Sequence, residues 1–172
     1  MHKDLERIAN RLASEAEKTI AFFSDLTQDA WRQQVYTTGS CWNVRQILAH
    51  FVATERALTR LMSNVIEGGS GVPTSFEIDA FNEREVEALE RAEIPRLIED
   101  FQLARSEIID WVRGLDPEDL ERTGRHPWFG ETELRKMLKL VYRHNMIHLR
   151  DVRKALADRA PVPHEHIQPP AE

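Results

Sequence analysis

Residues 132–157 read TELRKMLKLVYRHNMIHLRDVRKALA, and the spacing of their apolar positions decides the fold. Leu134, Met137 or Leu138, Val141, His144, His148, Asp151 or Val152, and Ala155 recur at intervals of three and four. One face of an α-helix returns with that rhythm. The stretch therefore predicts a long helix from near Thr132 to near Ala157, with both histidines on its buried seam and not on its wet face.

The same period marks three more long segments. Leu5, Ile8, Leu12, Ala16, Ile20 and Phe23 form a stripe that predicts a helix from about Lys3 to Ser24. A second runs from about Val44 to Ile66, opened by Asn43, whose side chain can cap free N–H groups, and stopped by Gly68-Gly69-Ser70-Gly71. Its apolar face, Val44, Ile47, Leu48, Phe51, Leu58, Leu61, Met62 and Val65, is broad enough to belong to an interior. A third begins at Asp79 to Asn82 and ends near Gly114, with Pro95 marking a kink or a break. Asp116-Pro117-Glu118 then opens a short helix to about Arg122, and His126-Pro127-Trp128-Phe129-Gly130 reads as a loop before the last long helix. No segment alternates with the period of a strand, so the chain reads as all-α. Residues 1–158 make one domain, and residues 159–172, containing Pro161 and Pro163, a loose Pro-rich tail. The connections between the long helices each exceed ten residues, which suits crossovers and loops that line a binding site.

Composition narrows the function classes. At 172 residues the chain can bury a core without a disulfide or a structural metal, and its single cysteine, Cys41, fits a reducing cytoplasm. No signal peptide and no membrane span are visible. A net charge of −6 argues against nucleic acid as a partner. The stretch from Glu77 to Arg113 is acid-rich, whereas Glu131 to Arg159 is rich in Lys and Arg; these are read as solvated helix faces, with a few basic residues available at a pocket mouth.

His144 and His148, four apart, lie one turn above the other and can reach the same ion. His50, two turns into the second broad apolar helix, is the best third ligand. Burying neighbouring imidazoles is costly unless each nitrogen finds a partner, and a shared cation supplies one. Three protein ligands leave positions open, the arrangement of a metal that does chemistry. Asp151, three beyond His148, could accept the second ring N–H of a ligating histidine, act as a fourth ligand, or pair with Arg150 or Lys154. Cys41 reads as a small packed residue, His164 and His166 as tail residues, and His2 and His126 show no partner pattern.

Two of these stretches are also similar to motifs of a known family. Cys41-Trp42-Asn43-Val44-Arg45-Gln46-Ile47-Leu48-Ala49-His50 resembles the Trp-Ser/Thr-x-x-x-x-Leu-x-His segment of the DinB/YfiT-like superfamily, and Arg143 to Asp151 resembles its C-terminal His-x-x-x-His helix. The resemblance spans the first helix to about Leu156. It implies a four-helix bundle of up-down-down-up topology, a homodimer, and a divalent zinc, nickel or iron ion on His50, His144 and His148. Asp151 stands where the family often has Gln, and Phe76 to Asn82 looks like a stretch of its isomerase-like branch. The expected activity is a metal-dependent enzyme that activates a low-molecular-weight thiol for S-transfer to, or isomerisation of, a small electrophile. Arg143, Arg150 or Arg84 would receive a substrate carboxylate. The alternatives are a hydrolase using metal-activated water with Asp151 as base, and a non-catalytic, stress-related metal-binding protein.

Overall fold

The computed structural model describes residues 3–164. Its elements are α1 (Lys3–Ser24), α2 (Gln28–Arg32), α3 (Val44–Ile66), α4 (Ile78–Ala88), α5 (Ile94–Arg113), a 3-10 turn (Pro117–Glu121), a hairpin of β1 (Thr123–His126) and β2 (Gly130–Glu133), and α6 (Leu134–Asp158). The stripes read from the sequence are the buried faces: Leu5, Leu12, Ile47, Leu48, Met62, Leu134 and Val141 are at most 1% exposed.

Helix ends follow local chemistry. At the start of α3 a capping box forms: Asn43 Oδ1 accepts from the Gln46 N–H at 2.9 Å and Gln46 Oε1 accepts from the Asn43 N–H at 2.9 Å. The expected third helix is two helices, because Pro95 cannot sit in a helix interior and occupies instead the first turn of α5. The break frees carbonyls at the end of α4, and the Arg45 guanidinium donates to those of Leu89, Glu90 and Ala92 at 2.6–2.8 Å.

Two clusters of buried side chains fix the topology. One joins Phe23 at the end of α1, Val44 to Val52 at the start of α3, Leu97 and Phe101 at the start of α5, and Leu149 to Ala155 at the end of α6. The other joins Leu5 to Leu12, Leu58 to Val65, Ile108 and Val112, and Leu134 to Val141, the opposite halves of the same four helices. Hence α1 and α6 run one way and α3 and α5 the other, the up-down-down-up order of a four-helix bundle. Because α3 and α5 are parallel, the chain must climb the bundle between them, and α4 lies on that return.

The residues expected to form a loop at 126–130 belong to an antiparallel hairpin pairing Thr123 with Glu133 through His126 with Gly130. Strands of four residues are too short to show an alternating pattern. The hairpin is pinned to the end of α3 through Gly71, at φ +83°, whose backbone runs beside Arg125; a Cβ there would lie 2.4 Å from the Arg125 carbonyl oxygen. Beyond α6 the chain stays on the bundle as far as it is described. The Val162 N–H donates to the Val35 carbonyl and the Thr37 N–H to the Val162 carbonyl, at 2.8 and 3.0 Å, and Val162 is buried.

Candidate metal centre

His50 projects from α3, and His144 and His148 project from consecutive turns of α6. The three Nε2 atoms meet: His144 Nε2 lies 3.0 Å from that of His50 and 3.1 Å from that of His148. All three candidate donor atoms fall within 4.8 Å of one another. Around a tetrahedral ion, Zn–N bonds of about 2.0–2.1 Å place neighbouring nitrogens roughly 3.3 Å apart, close to the two distances that His144 makes. His50 and His148 are buried, and His144 is the half-exposed member on the open side.

Each ring also has an oxygen beside its second nitrogen. Thr54 Oγ1 lies 3.4 Å from His50 Nδ1, Asn145 Oδ1 3.3 Å from His144 Nδ1, and Tyr36 Oη 2.6 Å from His148 Nδ1. With Nε2 turned to a cation, Nδ1 carries the proton and donates to these oxygens. Tyr36 Oη then donates onward to Asp151 Oδ2 at 3.2 Å, while Arg150 holds Oδ1 at 2.8–2.9 Å. Asp151 therefore acts on His148 through Tyr36. Burial and the Asp151 charge push the Tyr36 hydroxyl pKa well up, so it stays a phenol and a donor. We expect Tyr36→Phe to weaken zinc affinity on the order of 10–100-fold, and Asp151→Asn to do so less, in competition titrations against a chromophoric chelator. Unchanged affinity in both would reduce the chain to packing.

The Asn145 amide is oriented from behind. Its Nδ2 donates to Glu55 Oε1 at 3.2 Å, and Glu55 is ion-paired with Arg105, both 1% exposed. Since a carboxylate only accepts, this pairing leaves Oδ1 of Asn145 for His144. Trp42 packs on His50, ring centroids 4.6 Å apart, and Phe51 backs His144 and His148 at 6.1 and 5.9 Å.

Burial holds the histidines neutral. It lowers the pKa of His144 and of His126 to about 4, with neighbouring histidines contributing, and lowers those of His50 and His148 well below the ordinary value. A group with a depressed folded pKa binds fewer protons than the unfolded chain between about pH 4 and 6.5, so its contribution is full above that window and is lost as pH falls through it. A drop from 6.5 to about 4 is worth about 3 kcal/mol per group. The melting temperature of chelator-treated protein should therefore fall steeply from pH 7 to pH 4.5; a flat profile would mean that the imidazoles are hydrated.

Two cavities flank the trio, sharing His50, His144, Ile78, Asn82 and Trp128 as a common wall. The larger, about 360 Å³, is lined chiefly by apolar side chains such as Leu61, Val72, Phe76, Phe81 and Leu140. The smaller, about 220 Å³, adds His148, Ser40, Asp79 and Glu83. Arg143, Arg150 and Arg84, the expected carboxylate receivers, line neither; Arg84 pairs with Glu85 and lies over the Phe81 ring. Cys41 is exposed, not packed, and lies outside both cavities. His126 walls the larger cavity, and His164, read as a tail residue, stacks on Tyr36 at 4.2 Å and lines the smaller. His2 and His166 lie outside the described residues.

This geometry coincides with a family assignment. The DinB superfamily model matches residues 3–152, and the chain belongs to that superfamily. Among solved structures, YfiT from Bacillus subtilis, described as a probable metal-dependent hydrolase with an unusual four-helix bundle topology, is similar at TM-score 0.71 and 16% identity, covering 93% of this chain and 91% of that one. An uncharacterised protein from Clostridium difficile 630 is similar at TM-score 0.71 and 14% identity, covering 91% and 98%. The colibactin self-resistance protein ClbS, solved in complex with double-stranded DNA, is similar at TM-score 0.66 and 11% identity, covering 87% and 95%. No curated protein matches the chain.

The ClbS complex overturns the exclusion of nucleic acid drawn from the net charge of −6. Net charge is a sum over the whole surface, whereas phosphate contacts need only a local basic face. Among the described residues no helix is long and apolar enough to cross a membrane.

Proposed function

We propose that this protein is a metal-dependent enzyme in which His50, His144 and His148 hold a divalent zinc, nickel or iron ion and a low-molecular-weight thiol reacts there with a small electrophile. The observation that carries this reading is the trio of converging Nε2 atoms set between two cavities of unlike chemistry. When bound, the ion would lower the thiol pKa and hold the sulfur as thiolate. The cavity with Ser40, Asp79 and Glu83 suits a polar cosubstrate, and the apolar one an electrophile, so two reactants would meet beside His144.

Hydrolysis is the second reading, favoured by the likeness to YfiT. Asp151 is a poor base for it, since both its oxygens are engaged by Tyr36 and Arg150. Asp79 or Glu83 in the smaller cavity would have to take that role.

A cobalt-loaded protein separates the two. Thiolate-to-cobalt charge-transfer absorption on titration with cellular thiols, together with thermal stabilisation by one of them, is the expected result. Stoichiometric metal with neither response would favour hydrolysis or sequestration. Assembly as a homodimer is part of this reading, and a monomer mass by light scattering at micromolar concentration would refute it.

A further inference from the structure

The apolar cavity beside the trio contains one polar feature that the bundle does not explain. His126, at the end of β1, is 2% exposed and forms part of the cavity wall. Its Nδ1 accepts the backbone N–H groups of Trp128 at 3.1 Å and Phe129 at 3.3 Å. An acceptor nitrogen carries no proton, so the neutral ring bears its hydrogen on Nε2. That Nε2 is buried with no hydrogen-bond partner among the described residues. Buried donors are nearly always satisfied, and leaving one bare costs about 1–3 kcal/mol.

Of the other polar groups on this wall, the Asn82 amide and the Trp128 indole are partly exposed, whereas the His126 ring is buried. Thr54 sits against His50, the Asn64 side chain accepts from the Gly71 N–H, and Arg60 is exposed. The two bonds to the hairpin turn also fix the ring plane, so that Nε2 is held away from the turn backbone. A rigid, buried donor at the edge of a chiefly apolar space is the usual means by which such a pocket selects orientation.

We infer that His126 is the specificity-determining residue of this cavity, donating through Nε2–H to one acceptor oxygen of a small, otherwise apolar molecule, a ketone or aldehyde class of ligand, seated beside the metal trio. The inference rests on the proposed function in placing the electrophile here, but it does not require the ion. A carbonyl whose oxygen accepts from His126 would be polarised toward attack at its carbon. Because the His126 donor is otherwise left bare, the same molecule without its oxygen would bind less well than its greater apolarity warrants.

The test compares acetophenone with ethylbenzene, which differ by the carbonyl oxygen, in NMR titrations of the full chain both zinc-loaded and chelator-treated. His126→Asn keeps an acceptor where Nδ1 stands and removes the donor; His126→Gln restores a donor near Nε2. The acetophenone-to-ethylbenzene affinity ratio should fall about tenfold in His126→Asn and recover in His126→Gln, with or without zinc. In the wild-type protein the His126 Nε2–H proton should shift downfield with acetophenone and not with ethylbenzene, a readout that does not depend on either variant folding. An equal ratio in wild type and His126→Asn, failure of both probes to perturb the cavity residues, or a preference present only with zinc would each overturn the inference. The last outcome would place the carbonyl on the ion and leave the metal proposal intact; absent metal with a persistent preference would do the reverse.

Discussion

His144→Ala is expected to lose stoichiometric divalent metal while keeping its helical circular dichroism. His144 is the central member of the trio: its Nε2 is the atom within 3.0 Å of His50 and 3.1 Å of His148. Removing it leaves two ligands on separate helices with nothing between them, and affinity should fall well beyond the roughly 10–100-fold that outer-shell changes cost. The fold should tolerate the change, since His144 is the half-exposed ligand and the seam around it is carried by Val141, Leu149 and Val152. His50→Ala and His148→Ala should lose metal as well. Metal analysis of untagged protein checks all three, and full stoichiometric metal in the triple Ala variant would defeat the site assignment.

The meeting of the three histidines was legible because they sit on the strongest signal a sequence carries, the period of an amphipathic helix. The bounds read for α1 and α3 match the structure for the same reason. What surrounds the ligands was not legible. Tyr36 lies in an irregular segment after α2, where no period says which way a side chain points, and it meets His148 from 112 residues away. His126 and His164 are brought to the cavities by a hairpin of four-residue strands and by a stretch after α6, neither of which has a pattern long enough to read.

Glu55 and Arg105 are a different case. Glu55 falls four after Phe51 and three before Leu58, and Arg105 four after Phe101 and three before Ile108, so each charge interrupts an apolar stripe. Charges in helices are usually solvated, and only the pairing of the two across the bundle makes their burial tolerable. The signal was present in each helix and had no meaning until the helices were brought together.

Arg105→Ala should therefore be the most destabilising single change in the protein that touches neither ligand nor cavity. Arg105 Nε donates to Glu55 Oε2 at 2.8 Å, Nη2 to Glu55 Oε1, and Nη1 to the Leu12 carbonyl at 3.0 Å, while Asn145 donates to the same carboxylate. One network thus ties α5, α3, α1 and α6, the four helices of the bundle. Removing the cation strands a buried carboxylate, a loss of about 3–5 kcal/mol against the 5–15 kcal/mol by which domains are ordinarily stable. Urea unfolding measures it, and a cost under about 1 kcal/mol would mean that water reaches Glu55. The double change Arg105→Met with Glu55→Leu should recover most of the stability, because two apolar chains can fill the space of an ion pair. It should not recover the metal. Without Glu55 nothing fixes the Asn145 amide, which can turn its Nδ2 toward His144 Nδ1, so zinc affinity should stay about tenfold down in a protein that is again well folded. Stability and affinity restored together would show that the network serves the bundle alone; stability restored without affinity would show that the buried ion pair, on two other helices and joined to His144 through Asn145, is what holds that ring in its tautomer.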